Sequence, residues 1–314
     1  MTIDANSNDL TLGVVGAGAM GRGIAQVAAT GGCAVLLFDA NLDAARGALE
    51  FIGSMLERNV EKGRMSEEDA ATAISKIQVV ESIPELAPCQ IVIEAVVESL
   101  EVKNAVFREI ESSVSADTII ASNTSSLSVT TIAAACERPE RIAGMHFFNP
   151  VPLMKLVEVI DGVCTAPHVA DVLMDLGKRM TRTPVHIKDA PGFLVNQVGR
   201  GYNIECAHIA SDGVACYADI DRICREAVGF RMGPFELMDL TGVDVTHPAT
   251  NLIYEQFYHE PRFRPATLMQ MQLDAGLLGR KVGKGFYAYK EGKPEVGDEV
   301  IAPTCDGRPV WISK

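Results

Sequence analysis

The sequence predicts an α/β protein in two parts: a doubly wound, mostly parallel sheet, then an all-helical domain. Three observations predict it. Short runs rich in Val and Ile alternate with helical patterns through the first half. The first run, TLGVV, opens straight onto the glycine-rich segment Gly16-Ala17-Gly18-Ala19-Met20-Gly21 and then a helical pattern. Past Asp189-Ala190-Pro191-Gly192 the alternation stops and helical stretches take over.

In order, the predicted strands are Leu12–Val15, Ala34–Phe38, Gln90–Val96, Thr118–Ser122 and Ile142–Phe148. Each is short and apolar, as strands buried on both faces must be. Predicted helices between them are Met20–Thr30, Leu42–Lys62, Ser66–Ser75, Leu100–Val114 and Ser128–Cys136. Gly31-Gly32 closes the first of these. The second half reads as helices over Phe193–Ser211, Asp219–Val228, Pro234–Leu240, Pro248–His259 and Ala266–Ala275, with no strong strand before Phe286. The expected domains are 1–188, 189–290 and a loop-like tail, 291–314. Scattered Gly and Pro give the tail no helical or strand pattern, and it reads either as a C-terminus or as the start of a linker.

A length of 314 residues suits two domains at about 100–200 residues each. Hydrophobic residues at 47% and charged residues at 22% exclude a disordered or fibrous chain. With 28 basic against 41 acidic residues, the net charge is −13. That disfavours nucleic acid and anionic membranes as partners, but a local electropositive site can still take a phosphate. Glu94 and Pro150 interrupt the richest apolar stretches, so no membrane span is expected. The start, MTIDANSNDL, lacks the basic and apolar regions of a secretory signal. Eight cysteines form no CxxC and no metal-like spacing. Reduced thiols in a cytoplasmic protein, with no metal, are the expectation.

The glycine-rich segment has a physical logic. The first Gly permits a tight turn, the second lets backbone approach a pyrophosphate, and the third allows close helix–strand packing. Helix N-terminal amides then face the phosphates. Asp39 ends the second strand 18 residues past Gly21, where a ribose-binding carboxylate belongs. A carboxylate there repels a 2′-phosphate by on the order of 1–4 kcal/mol. No Arg follows until Arg46. The segment is therefore a Rossmann-type nucleotide loop, and NAD is expected over NADP.

Ligands of open parallel sheets bind beyond the carboxyl ends of the strands. Gly16, Asp39, Glu98, Asn123, Ser125, His146 and Asn149 all fall at such ends. Glu158 stands inside Leu156-Val157-Glu158-Val159-Ile160, where a lone carboxylate is costly without a partner. Residues 146 and 158 are symmetric about Pro152. If the chain folds back there as antiparallel strands, His146 faces Glu158. A neutral His so held can take the proton of an alcohol as hydride leaves the carbon. His168 and His259 read as surface residues, and His186, His208 and His247 have no assigned role.

Together the residues resemble the L-3-hydroxyacyl-CoA dehydrogenases over roughly Leu10–Tyr289. The resemblance rests on GAGAMGRGIAQ, EAVVESLEVK, SNTSSLS, GMHFFNPVPLMKLVEVI, DAPGFLVNQ, MGPFELMDLTG and GRKVGKGFYAY, in that order. It implies NAD-linked oxidation of a 3-hydroxyacyl-CoA to the 3-ketoacyl-CoA, with His146 as base and Glu158 as its partner. It implies that the Ser125 hydroxyl and the Asn196 amide bind the substrate oxygen, and that Asn149 lies beside nicotinamide or substrate. Gly16, Gly18, Ala19, Met20, Gly21, Asp39 and Asn123 are expected to line the cofactor site. Glu98 and Lys103 are expected at its nicotinamide half, and Lys281 in the C-terminal basic motif is expected to serve it too. A homodimer through the helical domain is also implied.

Arg46, Arg58, Lys62 and Arg64 are possible CoA phosphate contacts, though a solvated helix face explains each equally well. Two other readings stay open: a dehydrogenase of a free hydroxy acid, and a nucleotide-binding protein without catalysis.

Overall fold

A computed structural model describes residues 3–295. The chain forms two compact units, Met1–Val198 and Gly199–Lys314. The first unit carries eight strands: β1 Thr11–Val15, β2 Ala34–Phe38, β3 Ile77–Val80, β4 Ile91–Glu94, β5 Ile119–Ser122, β6 Ile142–Phe147, β7 Leu156–Asp161 and β8 Thr183–Lys188. Its helices are α1 Ala19–Thr30, α2 Leu42–Glu61, α3 Glu67–Ser75, α4 Leu100–Ser113, α5 Val129–Ala133 and α6 Pro167–Arg179. A seventh helix, α7 Val195–Ser211, begins at its end.

The sheet order is β3-β2-β1-β4-β5-β6-β7-β8. The first six strands run parallel, and β7 pairs antiparallel with β6 and parallel with β8. Neighbouring residues on a strand enter different cores. Ile91 and Ile93 pack in the layer beneath α1, α2 and α6, while Val92 joins Phe107 and Ile110 of α4. Helices thus cover both faces, and the order reverses between β1 and β4, which opens a crevice at their carboxyl ends.

β3, α6 and β8 lie outside the predicted set. β3 is four residues long, with Gln78 exposed. β8 is an edge strand, largely exposed and holding Pro184, so it has no apolar run to signal it. α6 buries Val169, Leu173 and Leu176 at helical spacing. α7 starts at Val195, two residues after the predicted start, because Phe193 takes a left-handed turn with φ of 53°.

The second unit is helical: the rest of α7, then α8 Tyr217–Glu226, α9 Pro234–Thr241, α10 Val243–Gln256 and α11 Thr267–Asp274. A short hairpin of β9 Ala288–Lys290 and β10 Lys293–Glu295 follows. Pro248 lies inside α10, so this helix begins five residues before its predicted start. Ile220, Phe235, Met238, Met269 and Phe286 form the core. Two buried carboxylates stitch it together. Asp221 accepts the amides of Phe235 and Glu236 and the Tyr287 hydroxyl. Asp239 accepts the amides of Phe286 and Tyr287 and the Tyr289 hydroxyl. Most of the predicted tail, including Cys305, lies outside the described residues. Among those described, no helix is long and apolar enough to cross a membrane.

Candidate active site

The loop between β1 and α1 uses its glycines in three ways. Gly16 has φ of +100°, and a Cβ there would lie 2.6 Å from the Ala95 carbonyl oxygen. A Cβ on Gly21 would lie 1.7 Å from the Gly16 carbonyl oxygen. At Gly18 a Cβ would meet nothing within 4 Å. The outer glycines are thus demanded by the fold itself. Gly18 faces open space at the start of α1, where no side chain caps the helix. An uncapped helix start beside a bare backbone fits a pyrophosphate. Asp39 follows β2; one carboxylate oxygen accepts the Ala17 amide at 2.7 Å and the other the Asn41 amide at 2.9 Å. The carboxylate is thereby fixed beside the loop, with lone pairs left for ribose hydroxyls.

Beyond β4, β5 and β6 lies a cavity of about 410 Å³, lined by Met20, Glu98, Asn123, Ser125, His146, Asn149 and Asn196 among others. Seven of the predicted residues therefore share one wall. Asn123 is steered by its Oδ1, which accepts the Phe147 amide at 2.9 Å. Asn149 precedes a cis Pro150.

His146 and Glu158 are register partners across β6 and β7. His146 is 5% exposed and Glu158 is 0% exposed. The His146 Nδ1 to Glu158 Oε2 distance is 2.6 Å. The other carboxylate oxygen accepts the amides of Leu194 and Val195 at 2.9 and 2.8 Å. Those amides open α7, so the acid also sits at the favourable end of a helix dipole. Because the carboxylate acts as acceptor, the ring proton is assigned to Nδ1, which leaves the Nε2 lone pair. Phe148 and Phe193 flank the ring at 4.5 and 5.8 Å between centroids. Of the other histidines, His186 also meets a carboxylate, that of Asp161 at 2.6 Å, but its side chain is 48% exposed.

Glu98 holds the turn after β5. Its Oε1 accepts the Thr124 hydroxyl at 2.7 Å, the Ser125 amide at 2.9 Å and both the amide and hydroxyl of Ser126. Burial pushes its carboxyl up, but the Thr124 hydroxyl, the Lys103 ammonium and the serine donors outweigh this and hold it below its ordinary value. Lys103 does not line the cavity; it is 1% exposed and lies against Glu94 and Glu98. Lys281 belongs to the second unit, where its ammonium is bound by the Asp244 carboxylate.

A neighbouring cavity of about 310 Å³ gathers Arg22, Arg58, Lys62 and Arg64 with Phe51 and Met55. Arg22 stacks on Phe51 at 3.8 Å and was not among the predicted contacts, although it directly follows Gly21. Arg46 instead lies 3.9 Å from Glu81. Burial pushes the Cys89 and Cys136 thiols up to about 12, so neither supplies a thiolate near neutral pH. Among the described residues, no group of three or more His, Cys, Asp or Glu is placed to hold a metal ion.

The strand order, the glycine loop and Asp39 define a dinucleotide-binding α/β protein with a buried His–Glu pair at its ligand edge. Residues 11–190 match the 3-hydroxyacyl-CoA dehydrogenase NAD binding domain, and residues 192–289 match the C-terminal domain of the same family. The chain belongs to the 3-hydroxyacyl-CoA dehydrogenase family, and its first unit is the NAD-binding one.

The chain is 40% identical over 296 residues to the 3-hydroxyadipyl-CoA dehydrogenase of Escherichia coli K12, covering 94% of this chain and 62% of that protein. It is 39% identical over 278 residues to the probable 3-hydroxybutyryl-CoA dehydrogenase of Bacillus subtilis, covering 88% of this chain and 96% of that one. The crystal structure of (S)-3-hydroxybutyryl-CoA dehydrogenase from Ralstonia eutropha superposes with a TM-score of 0.86 at 37% identity, covering 90% of this chain and 99% of that one. The chain thus spans about three-fifths of the first relative's length and nearly all of the other two.

Proposed function

We propose that this protein oxidises (S)-3-hydroxyacyl-CoA to 3-ketoacyl-CoA with NAD, reversibly. One observation carries the reading: the 2.6 Å contact between His146 Nδ1 and a fully buried carboxylate, on the wall of a cavity beside a dinucleotide loop. When bound, NAD would supply the acceptor for the hydride of the substrate carbon. His146 Nε2 takes the hydroxyl proton as that hydride departs. Glu158 fixes the ring and stabilises the imidazolium that forms. The Ser125 hydroxyl and the Asn196 amide hold the reacting oxygen, and Asn149 borders the same space. Gly16, Gly18, Ala19, Met20, Gly21, Asp39, Glu98 and Asn123 are assigned to the cofactor side, and Lys103 acts on it only through Glu98, from beneath the wall.

The CoA portion of the substrate is assigned to the basic cavity. Arg22, Arg58, Lys62 and Arg64 offer cations to its phosphates, and Phe51 offers a ring to its base. The relatives' names support a short or carboxylated acyl group. A homodimer is proposed on the family resemblance. A cytoplasmic setting is proposed on the seven described cysteines, all of them free thiols.

The test compares 3-hydroxybutyryl-CoA with free 3-hydroxybutyrate by NADH absorbance. A CoA thioester gains much of its binding energy far from the reacting carbon. The reading expects the thioester to be strongly preferred. Equal kcat/KM for the two would remove CoA recognition, and no NADH from either would remove the dehydrogenase.

A further inference from the structure

Lys103 is a cation packed at 1% exposure, and burial at that depth is costly without partners. Its Nζ lies 2.7 Å from Glu94 Oε1 and 3.3 Å from Glu98 Oε2. Glu94, on β4, is 0% exposed and also accepts the Val96 amide and the Ser122 hydroxyl, each at 2.7 Å. Ser122 Oγ in turn accepts the Thr124 amide at 3.2 Å. From the other side Glu98 gathers the donors of Thr124, Ser125 and Ser126 on a single oxygen. Two carboxylates from the β4 edge and one ammonium from α4 therefore brace the turn that carries Ser125.

We infer that Lys103 and Glu94 are positioning residues: they fix Glu98, and Glu98 holds the 124–126 turn so that the Ser125 hydroxyl meets the substrate oxygen. This rests on the role proposed above for Ser125. It differs from a direct contact between Lys103 and the coenzyme, which the burial of the ammonium disfavours. Without the cation, the fully buried Glu94 carboxylate would lose its counter-charge, and Glu98, 36% exposed, would lose the charge that anchors its second oxygen. A turn displaced by a fraction of an ångström is enough to slow the reaction.

A double-mutant cycle on Lys103→Met and Glu98→Gln tests this. The double variant keeps the local charge of the parent, one net negative, so it is the better folder of the set. Each single variant is expected to lower kcat by about 10–10²-fold, and the double no further than the worse single. Lys103→Met should leave the NADH Kd within about threefold. Hydrogen exchange of ligand-free protein should show the Ser125 and Ser126 amides less protected in all three variants.

Multiplying losses in the double would overturn the inference. So would a Lys103→Met variant with weakened NADH binding and an intact, protected turn. Should Lys103→Met not fold, the double against Glu98→Gln decides alone: equal kcat and exchange support the inference, and a further tenfold loss contradicts it. If the parent makes no NADH from a 3-hydroxyacyl-CoA, the proposed function fails, while exchange at the turn still decides this point.

Discussion

His146 and Glu158 face each other across the one antiparallel step between adjacent strands in an otherwise parallel sheet. Reversal at the end of β6 brings a buried acid back alongside the imidazole twelve residues earlier. A parallel neighbour would need a long crossover to achieve the same pairing. The turn through Pro150 and Pro152 therefore serves the pair as much as the sheet.

Glu158→Gln leaves shape and volume almost unchanged but replaces an acceptor of three hydrogen bonds with an amide. The imidazolium then lacks its anion. We expect kcat to fall by about 10²–10⁴-fold, close to the effect of losing the His itself. Steady-state kinetics at saturating NAD checks this.

Gly18→Ala and Gly21→Ala separate ligand from fold. The Gly21 substitution drives a methyl into backbone 1.7 Å away and should destabilise the unit strongly. Gly18→Ala meets no protein atom within 4 Å, so its melting temperature should match the parent while its NADH affinity falls by at least about tenfold. Calorimetry and NADH fluorescence titration read the two effects.

Asp39→Ser should relax cofactor choice. Removing the carboxylate beside the loop deletes a repulsion of on the order of 1–4 kcal/mol against a 2′-phosphate. The ratio of kcat/KM for NAD over NADP should drop by about tenfold or more. An unchanged ratio would place the ribose elsewhere.

Glu98 makes a pH prediction with a definite sign. Its carboxyl titrates lower in the folded chain than its ordinary value of 4.5. The folded state thus holds that proton less tightly than the unfolded state. Its stabilising contribution is fully present above 4.5 and is lost as pH falls through the folded value. The melting-temperature gap between the parent and Glu98→Gln should therefore be constant near neutrality and shrink below 4.5. Asp239 carries the opposite sign, because burial raises its carboxyl. Its contribution is largest below the ordinary value of 3.8 and declines as pH rises through the folded one.

Much of this was legible from residue pattern alone. The apolar runs of β1, β4, β5 and β6 are buried on both faces, so composition marks them without help from periodicity. The His146–Glu158 register was legible because a proline-rich reversal fixes the midpoint of a hairpin-like pair. β8 was not, since an exposed edge strand with a proline carries no burial signal. Nor was the depth of Lys103. Spacing places it one turn inside α4, but whether that face meets solvent or Glu94 depends on how the helix lies on the sheet. Arg22 was missed for a related reason: its partner Phe51 comes from another helix, 29 residues later.

The central claim is that His146 removes the hydroxyl proton, and His146→Gln tests it most directly. Single-turnover oxidation of 3-hydroxybutyryl-CoA by that variant, beside its NADH Kd, should show the chemical step slowed by about 10²–10⁴-fold with coenzyme affinity essentially retained. A variant that turns over at close to the parental rate would contradict the account.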